Sequence, residues 1–188
     1  MRILVACEES QRVTIELRKL GHSAYSCDLV PCSGGFPEWH IQGDVLPLLN
    51  GDCSFSTMDG KSHKICGKWD MIIAFPPCTY LTIAGTRHFS PKCNPPERIA
   101  HREKLRENAA SFFLKFANAD CEKIAIENPV GYMSKHYKKP ICSFLRLRFQ
   151  VLMTLPKRCS LFPNSTRTSR AFPLRIKCSR RPPISSSL

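Results

Sequence analysis

No acidic residue follows Glu127, and no glycine follows Gly131. Residues 1–131 carry fifteen basic and fifteen acidic side chains, so the whole surplus behind the net charge of +13 lies beyond Gly131. The basic balance therefore belongs to the end of the chain, and the first 131 residues are formally neutral. No apolar run approaches the roughly 18 residues of a membrane span, so no membrane partner is expected. The amino terminus enters a predicted strand at once, where a secreted chain would carry a leader, and a cytoplasmic location is expected. Cysteine is abundant at eleven residues, but no Cys-x-x-Cys pair occurs. The cysteines read as reduced thiols, and no metal site is expected. At 188 residues the chain has the length of one domain, enough for a three-layer core but short for a second full recognition domain. Nothing marks a protein partner, and a monomer is expected.

What is present centres on Trp69-Asp70-Met71-Ile72-Ile73-Ala74-Phe75-Pro76-Pro77-Cys78-Thr79-Tyr80-Leu81. Met71 to Phe75 is apolar and bounded by an acid and two prolines, which predicts a strand buried on both faces. Neither proline can donate to a ladder, and Pro77 holds Pro76 extended, so Cys78 is delivered stiffly at the carboxyl edge of the strand. Ligands of open α/β sheets sit at that edge. A thiol there is either a nucleophile or a buried space-filler.

The remaining chain alternates strands and helices, which predicts an α/β fold with a mostly parallel sheet and helices on both faces. Arg2 to Ala6 is a strand, Gln11 to Leu20 a helix with Val13, Leu17 and Leu20 on one face, and Gly21 its left-handed stop. Ala24 to Cys27 is the next strand. It ends at Asp28, either a ribose acceptor in a Rossmann-type unit or a solvated acid. The first strand-to-helix turn, Ala6-Cys7-Glu8-Glu9-Ser10-Gln11, lacks the glycines of a phosphate cradle. Its two acids suit an ammonium group or simply stabilise the helix start. Trp39 to Asp44 leads into a third strand or strand end at Val45-Leu46. Residues 51–68 read as an inserted hairpin, with Asp59-Gly60 in a type I′ turn. Thr79 to Pro96 reads as a polar loop that either closes over a ligand, with Arg87 on phosphate, or is a passive connection. Pro96 opens a helix to about Asn118 with Leu105, Ala109, Phe112 and Phe116 on its core face. Lys123 to Ile126 is a strand delivering Glu127-Asn128-Pro129 to the edge that carries Cys78. Glu127 there either meets solvent or hydrogen-bonds and protonates a ring.

Asp70, the apolar run and Pro76-Pro77-Cys78 resemble the Pro-Cys motif of DNA cytosine-5 methyltransferases, and Ile126-Glu127-Asn128 resembles their Glu-Asn motif. Residues 1–140 as a whole resemble the small methyltransferases of this type carried by bacteriophages and prophages. The resemblance implies a Rossmann-like S-adenosylmethionine-dependent methyltransferase fold, incomplete at the carboxyl end, in a bacterial or phage-infected cell. It implies Cys78 and Pro77 as the nucleophile motif, with Glu127 on the N3 side of the base ring and Asn128 orienting that ring or the loop. S-adenosylmethionine would meet Cys7, Glu8, Glu9, Asp28, Asp44, Phe75 and Pro76, with Asp44 on the adenine amino group. The partner would be DNA with a flipped target base, touched by Arg87 and His88. Phe75, Thr79 and Pro129 depart from the family pattern, as does the glycine-free first turn. A Pro-Pro followed by an aromatic marks amino-group methyltransferases, which remain the alternative enzyme. A non-catalytic module that binds nucleotide or DNA is the alternative class.

Residues 141–188 do not resemble the continuation of the family. Phe144 to Leu155 has the pattern of one or two strands. Arg158 to Leu188, rich in Arg, Ser and Pro, has no sustained period. It reads either as a poorly ordered basic arm on phosphate or as the product of a slipped coding frame near Pro140.

Overall fold

A computed structural model of the chain describes residues 1–137, 142–144 and 149–154. Five parallel strands form its centre: β1 (Arg2–Ala6), β2 (Ser23–Asp28), β3 (His40–Gln42), β6 (Met71–Ala74) and β7 (Ile124–Pro129). Between β3 and β6, β4 (Cys53–Ser56) and β5 (Ser62–Ile65) pair as a separate antiparallel hairpin. The main sheet is extended by β9 (Phe149–Thr154), antiparallel to β7, and by β8 (Cys142–Phe144) beyond it, giving the order β3-β2-β1-β6-β7-β9-β8. The parallel part has the order of a doubly wound, Rossmann-like sheet, reversing between β1 and β6.

Strand alternation explains the three layers. In β1, Ile3 and Val5 join Ala24 beneath Val13 and Leu17 of α1 (Arg12–Lys19). Leu4 and Ala6 face the larger core, which contains Ile72, Ala74, Phe113, Phe116 and the hairpin residues Phe55 and Ile65. Phe113 and Phe116 belong to α2 (Pro96–Ala117), so α1 and α2 cover opposite faces. Trp69 fills the base of the hairpin and donates from Nε1 to the Leu48 carbonyl at 2.6 Å. Among the described residues no helix is long and apolar enough to cross a membrane.

Several expectations are corrected. Leu20 lies outside α1 and is 73% exposed, because the Gly21 N–H closes back onto the Arg18 carbonyl. Met71 and Ile73 are only half-buried, so one face of β6 is fully covered and the other only partly. Val45-Leu46 is not strand. The Asp44 carboxylate accepts from Leu46 N at 3.0 Å, and Pro47 starts a 3-10 turn over Leu46–Leu48. The hairpin turn is not type I′, since Gly60 (φ +83°) has positive φ but Asp59 does not. Gly60 N–H returns to the Thr57 carbonyl at 2.8 Å, the pattern of a type I turn followed by a left-handed glycine. Within the presumed loop, Ile83–Phe89 is a 3-10 helix capped by Thr82. The core face of α2 runs through Phe113 and Phe116, leaving Leu105 and Phe112 half-buried.

One compact unit runs from Met1 to Arg158, and within it β9 pairs along the whole of β7. The strands expected from Phe144 to Leu155 are thus β9 and the end of β8. The second unit, Cys159–Leu188, and with it the readings of the basic arm or slipped frame, lies outside the described residues.

Candidate functional site

The carboxyl edge of the sheet at the β1/β6 reversal gathers the first set of candidate residues. Cys7 follows β1 in a left-handed conformation (φ +59°), and its N–H donates to the Cys27 carbonyl at 2.8 Å. Phe75 continues β6 beside it, donating to the Ala6 carbonyl at 3.0 Å. The Cys7 thiol is pushed up to about 12 by burial, then by the charges of Asp28 and Asp44. Cys27 is raised to about 12 as well, by burial first and then by Cys7, Asp28 and Asp44. Asp28, the last residue of β2, and Asp44, in the turn after β3, therefore converge on the Cys7 turn. Each accepts a backbone N–H two residues on with one oxygen, Val30 at 3.2 Å and Leu46 at 3.0 Å. A site with paired carboxylates and no glycine cradle favours hydroxyl, amino or cationic ligand groups over phosphate.

Glu8 and Glu9 are engaged within the fold. Glu8 is buried and accepts from Val13 N (2.6 Å), Thr14 N (3.2 Å) and Thr14 Oγ1 (2.7 Å), so it caps α1. Burial raises its carboxyl pKa, and these hydrogen bonds oppose the rise. Glu9 accepts from the Ser33 hydroxyl, and its carbonyl accepts from Ser33 N at 2.9 Å. Gln11 is a structural residue that sequence reasoning missed. Fully buried at φ +55°, it donates to the Phe36 carbonyl at 2.8 Å and accepts from Phe36 N at 3.1 Å. It fixes the loop after β2 against the turn after β1.

The second set lies one strand over. The register pairs Ala74 with Ile126, so β6 and β7 deliver Pro76-Pro77-Cys78 and Glu127-Asn128 side by side at the same edge. Pro76 is buried, Pro77 exposed and Cys78 half-buried. Glu127 is half-buried, and burial alone raises its carboxyl to about 7. Its Oε1 has no hydrogen-bond partner among the described residues. Asn128 is fully buried, and neither amide atom is partnered among the described residues. By alternation Asn128 faces the α2 side with Ile126, and Glu127 faces the other side. The segments after the two motifs are clasped together. Ile83 N donates to the Val130 carbonyl at 2.9 Å, and Tyr132 N to the Leu81 carbonyl at 2.8 Å. Gly131 sits inside this clasp, where a Cβ would lie 2.1 Å from the Leu81 oxygen.

Beyond the clasp opens a cleft of about 330 Å³ between the 3-10 helix and α3 (Tyr132–His136), lined by Ile83, Thr86, Arg106, Val130 and Tyr132 among others. Cys78, Glu127 and Asn128 do not line it. Arg87 is exposed, and its Nε donates to His88 Nε2 at 3.3 Å. Desolvation, then the charges of Arg102, Arg87 and Arg98, hold His88 below its ordinary range. Sequence reasoning missed Arg98, Arg102 and Arg106. Their spacing of four on a predicted helix was the available signal.

This edge can hold a polar ligand without phosphate beside Asp28 and Asp44. Comparison with family models, with curated proteins and with solved structures gave no match.

Proposed function

We propose that this chain is an S-adenosylmethionine-dependent DNA methyltransferase acting on C5 of cytosine. One observation carries the reading. A carboxyl held near neutrality by burial lies on the strand adjacent to the one ending in Pro-Pro-Cys, and both strands leave the sheet at one edge. A carboxylic acid that keeps its proton near pH 7 can donate to a ring nitrogen, which an ordinary glutamate cannot.

Asp28 and Asp44 would hold the cofactor's hydroxyl and amino groups, with Phe75 and Pro76 alongside. The absence of a glycine cradle fits a nucleoside that lacks phosphate. When bound, S-adenosylmethionine supplies an electrophilic methyl group. Cys78, as the thiolate, adds to C6 of a flipped cytosine, and the C5–C6 electron pair moves to C5. Glu127 donates its proton toward N3 and stabilises the charge that the addition places on the ring. With C5 methylated and the donor's sulfur released as a thioether, the C5 proton leaves to a base, the electron pair re-forms the double bond, the sulfur–C6 bond breaks to return the Cys78 thiolate, and N3 returns its proton to Glu127. Asn128, on the opposite side from Glu127, orients the neighbouring loop. Flipping the base costs a few kcal/mol, which contacts to phosphate and to the ring offset.

The test is incubation of the purified chain with duplex DNA and methyl-labelled S-adenosylmethionine, followed by nucleoside analysis. Label in 5-methylcytosine, lost in Cys78→Ala, supports the reading. Label in N4-methylcytosine or N6-methyladenine assigns the chain to the amino methyltransferases instead. Binding of DNA without label makes it a binding module.

A further inference from the structure

Four basic side chains converge beside the segment that follows Cys78. Arg87 and His88 come from the 3-10 helix, and Arg98 and Arg102 from the first half of α2. Their mutual proximity is felt at His88, on which the charges of Arg102, Arg87 and Arg98 all act, with no acid among the groups that influence it. Among the described residues none of these arginines, nor Arg106, forms an ion pair. Of the acids on α2, Glu103 is the one whose charge acts on Arg106.

Arg98, Arg102 and Arg106 follow one another at intervals of four and so form a stripe along α2. Aromatic rings orient this stripe without neutralising it. The Arg106 guanidinium lies 3.2 Å from the Phe89 ring centroid, and that of Arg102 lies 5.4 Å from the same ring and 5.2 Å from Tyr80. Arg106 Nε also donates to the Tyr80 carbonyl at 3.4 Å, which ties the stripe to the residues just after Cys78. At about 1.5 Å per residue, Arg98 to Arg106 spans roughly 12 Å. One DNA strand presents a phosphate every 3.4 Å or so along its axis, so the stripe matches three to four of them. Like charges stacked along a helix without direct ion pairs repel one another, and a polyanion relieves that repulsion.

We propose that Arg98, Arg102 and Arg106, with Arg87 and His88, form a track for the sugar–phosphate backbone of duplex DNA beside the Cys78 segment. This rests on DNA as the partner of the site, but not on methyl transfer. The track positions the duplex and leaves reading of bases to other groups.

The test measures affinity of the full-length chain for a labelled DNA duplex across a series of salt concentrations. Arg87 and Arg98 are exposed, so the double variant Arg87→Ala/Arg98→Ala keeps the packing of Arg102 and Arg106. It is expected to melt with the wild type, to bind about 10- to 100-fold more weakly at low salt, and to show a log–log salt slope shallower by about 2. The Arg87→Lys/Arg98→Lys variant should retain the slope. Lys104 lies on the opposite side of α2 from the stripe by helical geometry, so Lys104→Ala should leave the slope unchanged. A wild-type slope in the double alanine variant, an equal loss in Lys104→Ala, or a loss seen on duplex RNA but not on DNA overturns the track. Methyl transfer is assayed separately. A shallower slope in a chain that transfers no methyl group upholds the track and removes the methyltransferase reading.

Discussion

Replacing Glu127 by glutamine changes the pH dependence of stability in a way that does not require activity. Burial raises the carboxyl from 4.5 to about 7 in the folded chain. Below about pH 4.5 the group is protonated in both the folded and unfolded states and has no effect on their balance. Between about 4.5 and 7 the unfolded chain releases this proton while the folded chain keeps it, so this residue lowers stability progressively as pH rises. Above about 7 the cost is complete and constant. At about 1.4 kcal/mol per pH unit the full displacement corresponds to about 3 kcal/mol. Glu127 is only half-buried, and solvent screening reduces this to about 2 kcal/mol. Glu127→Gln keeps shape and size but cannot ionise. Urea denaturation at pH 4.5 and pH 8 should therefore show the variant gaining about 2 kcal/mol on the wild type between the two values. A difference between variant and wild type that is the same at both pH values refutes the burial of this carboxyl, and with it the neutral acid proposed for catalysis.

Three further outcomes follow from the geometry. Gly131→Ala places a methyl group against the Leu81 oxygen and the Ile83 nitrogen (2.8 Å), and should lower stability by about 3 kcal/mol in urea melts, the upper end of overpacking costs. Native alkylation with iodoacetamide at pH 8, read by peptide mass spectrometry, should label the exposed Cys66 and Cys93 and spare Cys7 and Cys27, whose thiols lie near 12; rapid labelling of Cys7 contradicts this. In the presence of S-adenosylmethionine, a DNA duplex carrying 5-fluorocytosine should trap the chain covalently, since after methyl transfer fluorine cannot depart as a proton does. The adduct should be absent from Cys78→Ala, and its persistence there would refute Cys78 as nucleophile.

The strands that build the sheet were readable because each is an apolar run with a punctuated end. Met71 to Phe75 stops at two prolines, and Ile124 to Ile126 stops at a polar pair. The convergence of Asp28 and Asp44 on one turn follows from parallel strands ending at one edge, which sequence order alone suggests. Other features depend on contacts between distant residues. Glu8 points inward to cap α1, and nothing local separates that from an acid facing a ligand. Phe113 instead of Phe112 reaches the core because the orientation of α2 is set by the sheet, and adjacent phenylalanines leave periodicity ambiguous. Gln11 looks like an ordinary polar residue at a helix start until Phe36 is brought against it.

The paired main-chain links Ile83 to Val130 and Tyr132 to Leu81 limit which part of the polypeptide is able to swing. Any bending of the chain after Cys78 must begin beyond Ile83, because bending earlier would break these links and force Gly131 away from its neighbour. Movement is thereby left to residues from Ala84 onward, where the Thr82 hydroxyl, accepting from Ala84 N at 3.3 Å, caps the start of the 3-10 helix. The segment from Cys78 to Ile83 is held by these links, so a proteolytic nick within Ala84–Asn94 should leave it standing.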